Sequence, residues 1–141
     1  MRRKKGTLKF VAVFLGALFA AALLYALTVQ SVFEGGEGYE LYCGTSSAEI
    51  IRTKNPALMK FLRPDVCGES ARYKGDLHAE FIERFSAEIR FTEEAAGVVN
   101  YYLYAPDLGH GVLICGHEVN LHIAVSGEQT AIGTPIIFGG F

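Results

Sequence analysis

The sequence predicts an α+β protein carried on an amino-terminal transmembrane helix, with one main helix laid across an antiparallel β-meander in a two-layer domain. Three observations predict it. Residues 10–29 form a long uncharged apolar run. Leu77, Phe81, Ile82, Phe85 and Ile89 recur at helical spacing, and from Val98 onward β-branched and aromatic residues alternate with period two. The 141 residues, 50% of them hydrophobic, allow one modest domain and exclude a multidomain enzyme.

Phe10–Val29 reads FVAVFLGALFAAALLYALTV. At about 1.5 Å per helical residue it reaches about 30 Å, the thickness of a bilayer's hydrocarbon core. Arg2, Arg3, Lys4, Lys5 and Lys9 precede it and an acidic stretch follows. Positive flanks stay on the cytoplasmic side, so residues 1–9 are expected to be a cytoplasmic tail and the rest of the chain extracytoplasmic. A cleaved signal peptide has a core of about 7–15 residues and a small-x-small cleavage site. The longer core and the poor sites at Ala26-x-Thr28 and Val29-x-Ser31 favour an uncleaved signal anchor over a secreted form. Ala12, Gly16 and Ala20 fall four apart on one helix face, the spacing of a transmembrane dimer face, although Ala and Gly are common in such helices.

Residues 30–38, rich in Gly and Glu, read as a flexible linker. Residues 39–65 read as a short strand at Tyr39–Cys43 and helical turns at Ser46–Lys54 and Ala57–Leu62, interrupted by Asn55-Pro56. Residues 66–141 carry the main domain. Val66–Tyr73 is expected as a strand, and Asp76 as the cap of a helix over about 77–90, with Glu80 and Arg84 on its solvated face. Val98–Tyr104 is a strand ending in the turn Ala105-Pro106-Asp107. Gly111–Cys115 and Glu118–Val125 are expected to form a hairpin through a type II′ turn at Gly116-His117. In its second strand Val119, Leu121, Ile123 and Val125 face the core, and Glu118, Asn120, His122 and Ala124 face solvent. Gln129–Phe138 is the last strand.

Candidate chemistry is sparse. His110, Cys115, His117 and His122 are of zinc-ligand type. The expected hairpin pairs Cys115 with Glu118, Leu113 with Asn120 and Gly111 with His122, setting Cys115 and His122 on the order of 13 Å apart. No metal site or cofactor is therefore expected. Cys43, Cys67 and Cys115 allow one intrachain bridge in three pairings, or a bridge between chains, or three small apolar thiols. Ser46, Ser47 and Ser126 lie outside any nucleophile-elbow pattern. Glu93-Glu94 reads as solvated charge in a loop, and Asp107 to His110 as a turn. The run Tyr101, Tyr102, Leu103, Tyr104 has the composition of a stacking platform for bases or glycans, or of a strand with one face in the core.

Val119–Ala124 and Thr130–Ile137, with Asn120, Ile123, Ala124, Gly133, Thr134, Pro135, Ile136 and Ile137 as the matching residues, resemble the carboxy-terminal pattern of the YwmB family. Gly75, Leu77 and Tyr104 match as well, so the likeness covers about residues 66–138. The family comprises exported proteins of endospore-forming Firmicutes with a fold similar to the TATA-box-binding protein. The resemblance implies a short or divergent member holding one half-domain, associated with sporulation or the cell envelope, and it transfers no catalytic residue. Here about thirty residues stand in place of the family's larger first half, and the chain ends Gly139-Gly140-Phe141.

Charge decides against DNA binding, whatever the fold. After residue 30 the chain has 8 Lys and Arg against 15 Asp and Glu, a balance of −7, whereas duplex binding needs cations to displace counterions from phosphate. The expected function is a membrane-anchored extracytoplasmic, non-enzymatic module that binds an envelope protein or component through its sheet; its expected partners are the membrane, an envelope protein or a second copy in a homodimer. The alternative is a small envelope enzyme or ligand-binding protein using a pocket between helix and sheet.

Overall fold

The computed structural model describes residues 3–44 and 49–139. It divides into two units, residues 1–30 and 31–141. The first is α1 (Arg3–Thr28), in which Lys9–Thr28 is long and apolar enough to cross a membrane, with a mean hydropathy of 2.5. Ala12, Gly16 and Ala20 are exposed along it.

The second unit is α+β. Its strands are β1 (Gly38–Cys43), β2 (Glu49–Thr53), β3 (Val66–Lys74), β4 (Glu88–Ala95), β5 (Val98–Tyr104), β6 (Val112–Ile114), β7 (His117–Val119), β8 (Leu121–Ser126) and β9 (Gln129–Thr134). Two short helices, α2 (Pro56–Leu62) and α3 (His78–Arg84), and a 3-10 turn at Pro106–Leu108 join them. Seven strands make one antiparallel sheet in the order β2-β1-β3-β9-β8-β5-β4, and β6 and β7 form a separate hairpin.

The core lies on one face of the large sheet. Tyr39, Ala71, Ile132, Ile123 and Tyr101 are successive cross-strand partners and so share that face. They pack with Leu103, Leu121 and Tyr73 against Phe81 and Phe85 of the α3 region. Phe33, fully buried, meets Phe85 edge-on at 5.8 Å. Burying the face removes the apolar side chains from water, at about 25 cal/mol per Å².

Several expectations change. Residues 31–37 are not a free linker. Ser31 and Val32 donate to the Glu69 carboxylate, Glu37 N donates to Arg72 O at 2.8 Å, and Tyr73 Oη donates to Glu34 O at 2.8 Å. Of the helical turn expected at 46–54, residues 46–48 lie outside the described residues, and 49–53 are β2, whose Ile50 and Ile51 pair with Tyr42 and Leu41. α2 forms as expected, with Pro56 opening it and Asn55 Oδ1 accepting from Leu58 N at 3.2 Å.

The helix expected over 77–90 stops at Arg84. Ser86 takes a φ of 47°, which ends the helical path. Ile89 then lies on β4 opposite Leu103, so the helical spacing from Phe85 to Ile89 is a coincidence spanning two elements. Glu93 and Glu94 are on this strand rather than in a loop. Its turn into β5, Ala96-Gly97, has φ values of 53° and 79°, as a type I′ hairpin requires. Leu77 holds the cap position without a side-chain bond, and Asp76 Oδ1 instead accepts from His78 N at 3.3 Å.

The second hairpin turns at Cys115-Gly116, not Gly116-His117. Ile114 pairs with His117, and both turn residues have positive φ, 50° and 82°. Gly116 meets that demand without steric cost. Asn120 separates β7 from β8, so His122 belongs to the large sheet and not to this hairpin. β9 ends at Thr134, followed by a cis bond to Pro135, and residues 135–139 run over the sheet's second face. The strap meets His122 through Ile137 N, and His122, expected in solvent, is 7% exposed; Asn120 and Ala124, expected there too, are 0% and 2% exposed.

Candidate functional site: the second face of the sheet

One row of cross-strand partners crosses the second face: Arg52, Glu40, Ser70, Gly133, His122, Tyr102 and Phe91. At the β4 end the row is aromatic. Phe91 stacks on Tyr102 with centroids 4.4 Å apart, and Tyr102 on His122 at 4.5 Å. Burial pushes the Tyr102 phenol up from its ordinary pKa.

His122 sits where the strap meets the sheet. Its Nδ1 accepts from Ile137 N at 3.3 Å, which leaves Nε2 to carry the proton and donate to Asn100 Oδ1 at 3.0 Å. Burial lowers its pKa from 6.5 to about 4. The unfolded chain therefore takes up a proton between pH 6.5 and about 4 that the folded domain refuses. Stability from this group is complete above pH 6.5 and falls by about 1.4 kcal/mol per pH unit through that window, about 3 kcal/mol in all. Urea midpoints of wild type and His122→Gln measured from pH 7.5 to 4 should diverge by that slope.

At the β2 end the row is charged. Glu40 is 6% exposed; its Oε1 receives Arg52 Nε at 2.9 Å, with Arg72 Nη2 at 3.8 Å. Gly139 closes over Oε2, where any side chain would collide, and Oε2 has no hydrogen-bond partner among the described residues. Ser70 Oγ lies 2.8 Å from Tyr42 Oη, and Phe138 packs edge-on against Tyr42 at 4.7 Å. Beside this group opens a cleft of about 590 Å³, lined by Glu37, Glu40, Arg52, Lys54, Ser70 and Arg72 together with backbone of β1 and β2. Arg52, Lys54 and Arg72 present donors for an anionic group, a carboxylate or phosphate. Charge is unevenly shared along the domain: residues 31–74 carry six cations and six acids, whereas residues 75–141 carry two against nine.

A smaller cleft of about 280 Å³ runs past Lys60, Cys67, Glu69, His110 and Pro135. In it Lys60 Nζ bonds the buried Glu69 carboxylate at 2.9 Å. Near by, Arg63 bridges Glu49 and Asp65, holding both carboxyl groups below their usual range.

The residues singled out in the sequence are dispersed. Cys115 and His117 lie on the small hairpin, His117 tilted against Phe91 at 5.8 Å, and His110 is exposed on the smaller cleft. No group of three or more His, Cys, Asp or Glu converges for a metal among the described residues. Tyr101 stacks on His78 at 4.8 Å, Tyr102 lies on the opposite face, Leu103 is in the core, and Tyr104 lies under the Arg90 guanidinium at 5.2 Å. The tyrosine run is thus split between environments. The space between α3 and the sheet, expected in the alternative reading to hold a pocket, is occupied by the phenylalanine cluster. The cleft with polar groups faces the other way. Its residues were absent from the sequence reading because Glu40, Arg52 and Arg72 lie on three separate strands and share no motif.

Comparison with protein-family models, with curated proteins and with solved structures finds no match.

Proposed function

We propose that the chain is a membrane-anchored, extracytoplasmic, non-enzymatic binding module, YwmB-like and linked to sporulation or the envelope, which takes an anionic envelope partner in the Arg52/Lys54/Arg72 cleft. The observation that carries the reading is a cleft lined by three cations, in a domain whose overall balance is −7. The apolar helix at residues 9–28 supplies the tether, and the basic flank before it supplies the orientation. Interaction through a rim of charges confers specificity and association rate, so charge reversal is the sharpest probe.

The test places a photocrosslinking residue at Lys54 in the full-length protein and irradiates intact sporulating cells. A discrete adduct with an envelope component is expected, reduced on the order of tenfold by Arg52→Glu/Arg72→Glu, which removes two charge-assisted bonds. An adduct pattern unchanged by the charge reversal, or no adduct, contradicts the reading.

A further inference from the structure

We infer that Cys43 and Cys67 form a redox pair that closes into an intramolecular disulfide linking β1 to β3. Beyond the binding role, this assigns a modification site to two thiols that are free in the structure.

Register carries the inference. From Gly38 to Tyr42 the β1–β3 ladder runs in strict antiparallel register, Leu41 opposite Glu69 and Tyr42 opposite Gly68. One step further the same register sets Cys43 opposite Cys67. A bulge intervenes there, so that Cys43 pairs with Val66 and Cys67 becomes the extra residue. By alternation from Leu41, Cys43 takes the core face, and the bulge releases Cys67 from the alternation of β3. Gly44 N donates to Asp65 O at 3.0 Å, so the backbone groups of Gly44 point toward β3. Those of Cys43 therefore point away. Cys43 occupies a non-hydrogen-bonded site opposite Val66, where opposed Cα atoms approach to about 4.5 Å, and Cys67 is the next residue of the bulge.

The Cys67 side chain already leans toward its partner. Its Sγ lies 3.4 Å from Tyr42 O and 2.7 Å from Gly44 O, the carbonyls on either side of Cys43. Closing the bridge requires the Cys67 sulfur to leave these carbonyls by rotation about χ1.

Access sets the order of events. Cys67 is exposed and Cys43 is buried, with its thiol pushed up by that burial. The oxidant is a disulfide, either a small molecule such as oxidised glutathione or a thiol oxidoreductase. The Cys67 thiolate attacks it, forming a mixed disulfide and releasing one thiol. The Cys43 thiolate then attacks the Cys67 sulfur and displaces the second. Two protein thiols and one oxidant disulfide become one protein disulfide and two free thiols. The bridge closes a loop of about 25 residues. It clamps β2 and α2 to β3, the segment that includes Arg52 and Lys54 of the cleft.

The test is incubation of the full-length protein in detergent with oxidised glutathione, followed by peptide mapping by mass spectrometry. The expected product has lost two hydrogens, carries a 43–67 crosslink, and melts about 10 °C higher than the reduced form. Cys115→Ser should retain the crosslink, and Cys43→Ser should stop at a glutathione adduct on Cys67. The inference is overturned if wild type also stops at that adduct, if the bridge involves Cys115, or if both thiols stay reduced. None of these readouts depends on the cleft's partner, so failure here leaves the binding reading standing.

Discussion

Replacing Asn120 by alanine should destabilise the folded domain by about 3–5 kcal/mol, because it orphans buried backbone groups rather than merely removing contacts. Asn120 is fully buried at the break between β7 and β8. Its Oδ1 accepts from Ala105 N at 2.6 Å, and its Nδ2 donates to Ala105 O at 2.8 Å and Gly109 O at 2.7 Å. One side chain thus satisfies the turn after β5, where Ala105 is itself fully buried. Alanine leaves Ala105 N and Gly109 O without partners among the described residues and without room for full hydration, while Ala105 O keeps its bond from Leu108 N. The effect is read as a lower urea midpoint at an unchanged m-value. Asn120→Asp keeps the acceptor and sets a carboxylate oxygen against two carbonyls, so its loss should be as large at pH 7 and ease as the pH falls and the acid protonates.

Lys60→Met should cost a similar 3–5 kcal/mol, for a different reason. Glu69 is 2% exposed and Lys60 18% exposed, and removing the cation strands a buried carboxylate. Ser31 Oγ and Val32 N also donate to Glu69, so the loss should spread to residues 31–32, seen as faster amide exchange at Val32. Adding Glu69→Gln neutralises the stranded charge and should recover much of the stability. A double-mutant cycle therefore separates the cost of an unpaired charge from the net worth of the pair. Equal losses in Lys60→Met and the double variant would show that side-chain packing, not charge, holds this corner.

The outline of the fold was legible where one element fills a sequence window with one periodicity. The apolar run gives α1, Val66–Tyr73 and Val98–Tyr104 give two strands of the large sheet, and the strand expected over Glu118–Val125 is split at Asn120 into β7 and β8. Boundaries failed where two elements continue one pattern. Ile89 extends the stripe of Phe81 and Phe85 at helical spacing, and only the free edge of β5, which β4 pairs, reveals it as strand. The hairpin turn slipped by one residue because Gly116 suits either frame, and a positive φ at Cys115 is costly enough to be unexpected. Both errors are tertiary effects that local propensity does not encode. The site was less legible still. Arg52, Glu40, Ser70 and Arg72 become neighbours only through the order β2-β1-β3, in which β3 lies far along the chain from the hairpin it joins. His122 was expected in solvent because nothing in its own strand announces the strap at 135–139 that covers it.

The proposed tether presents this domain outside the cytoplasm. The most direct test fuses alkaline phosphatase after Phe141 in the native host and follows both enzyme activity and fractionation. Active phosphatase that sediments with membranes is the expected result. Inactive phosphatase, with an equivalent cytoplasmic reporter active at the same position, would contradict it.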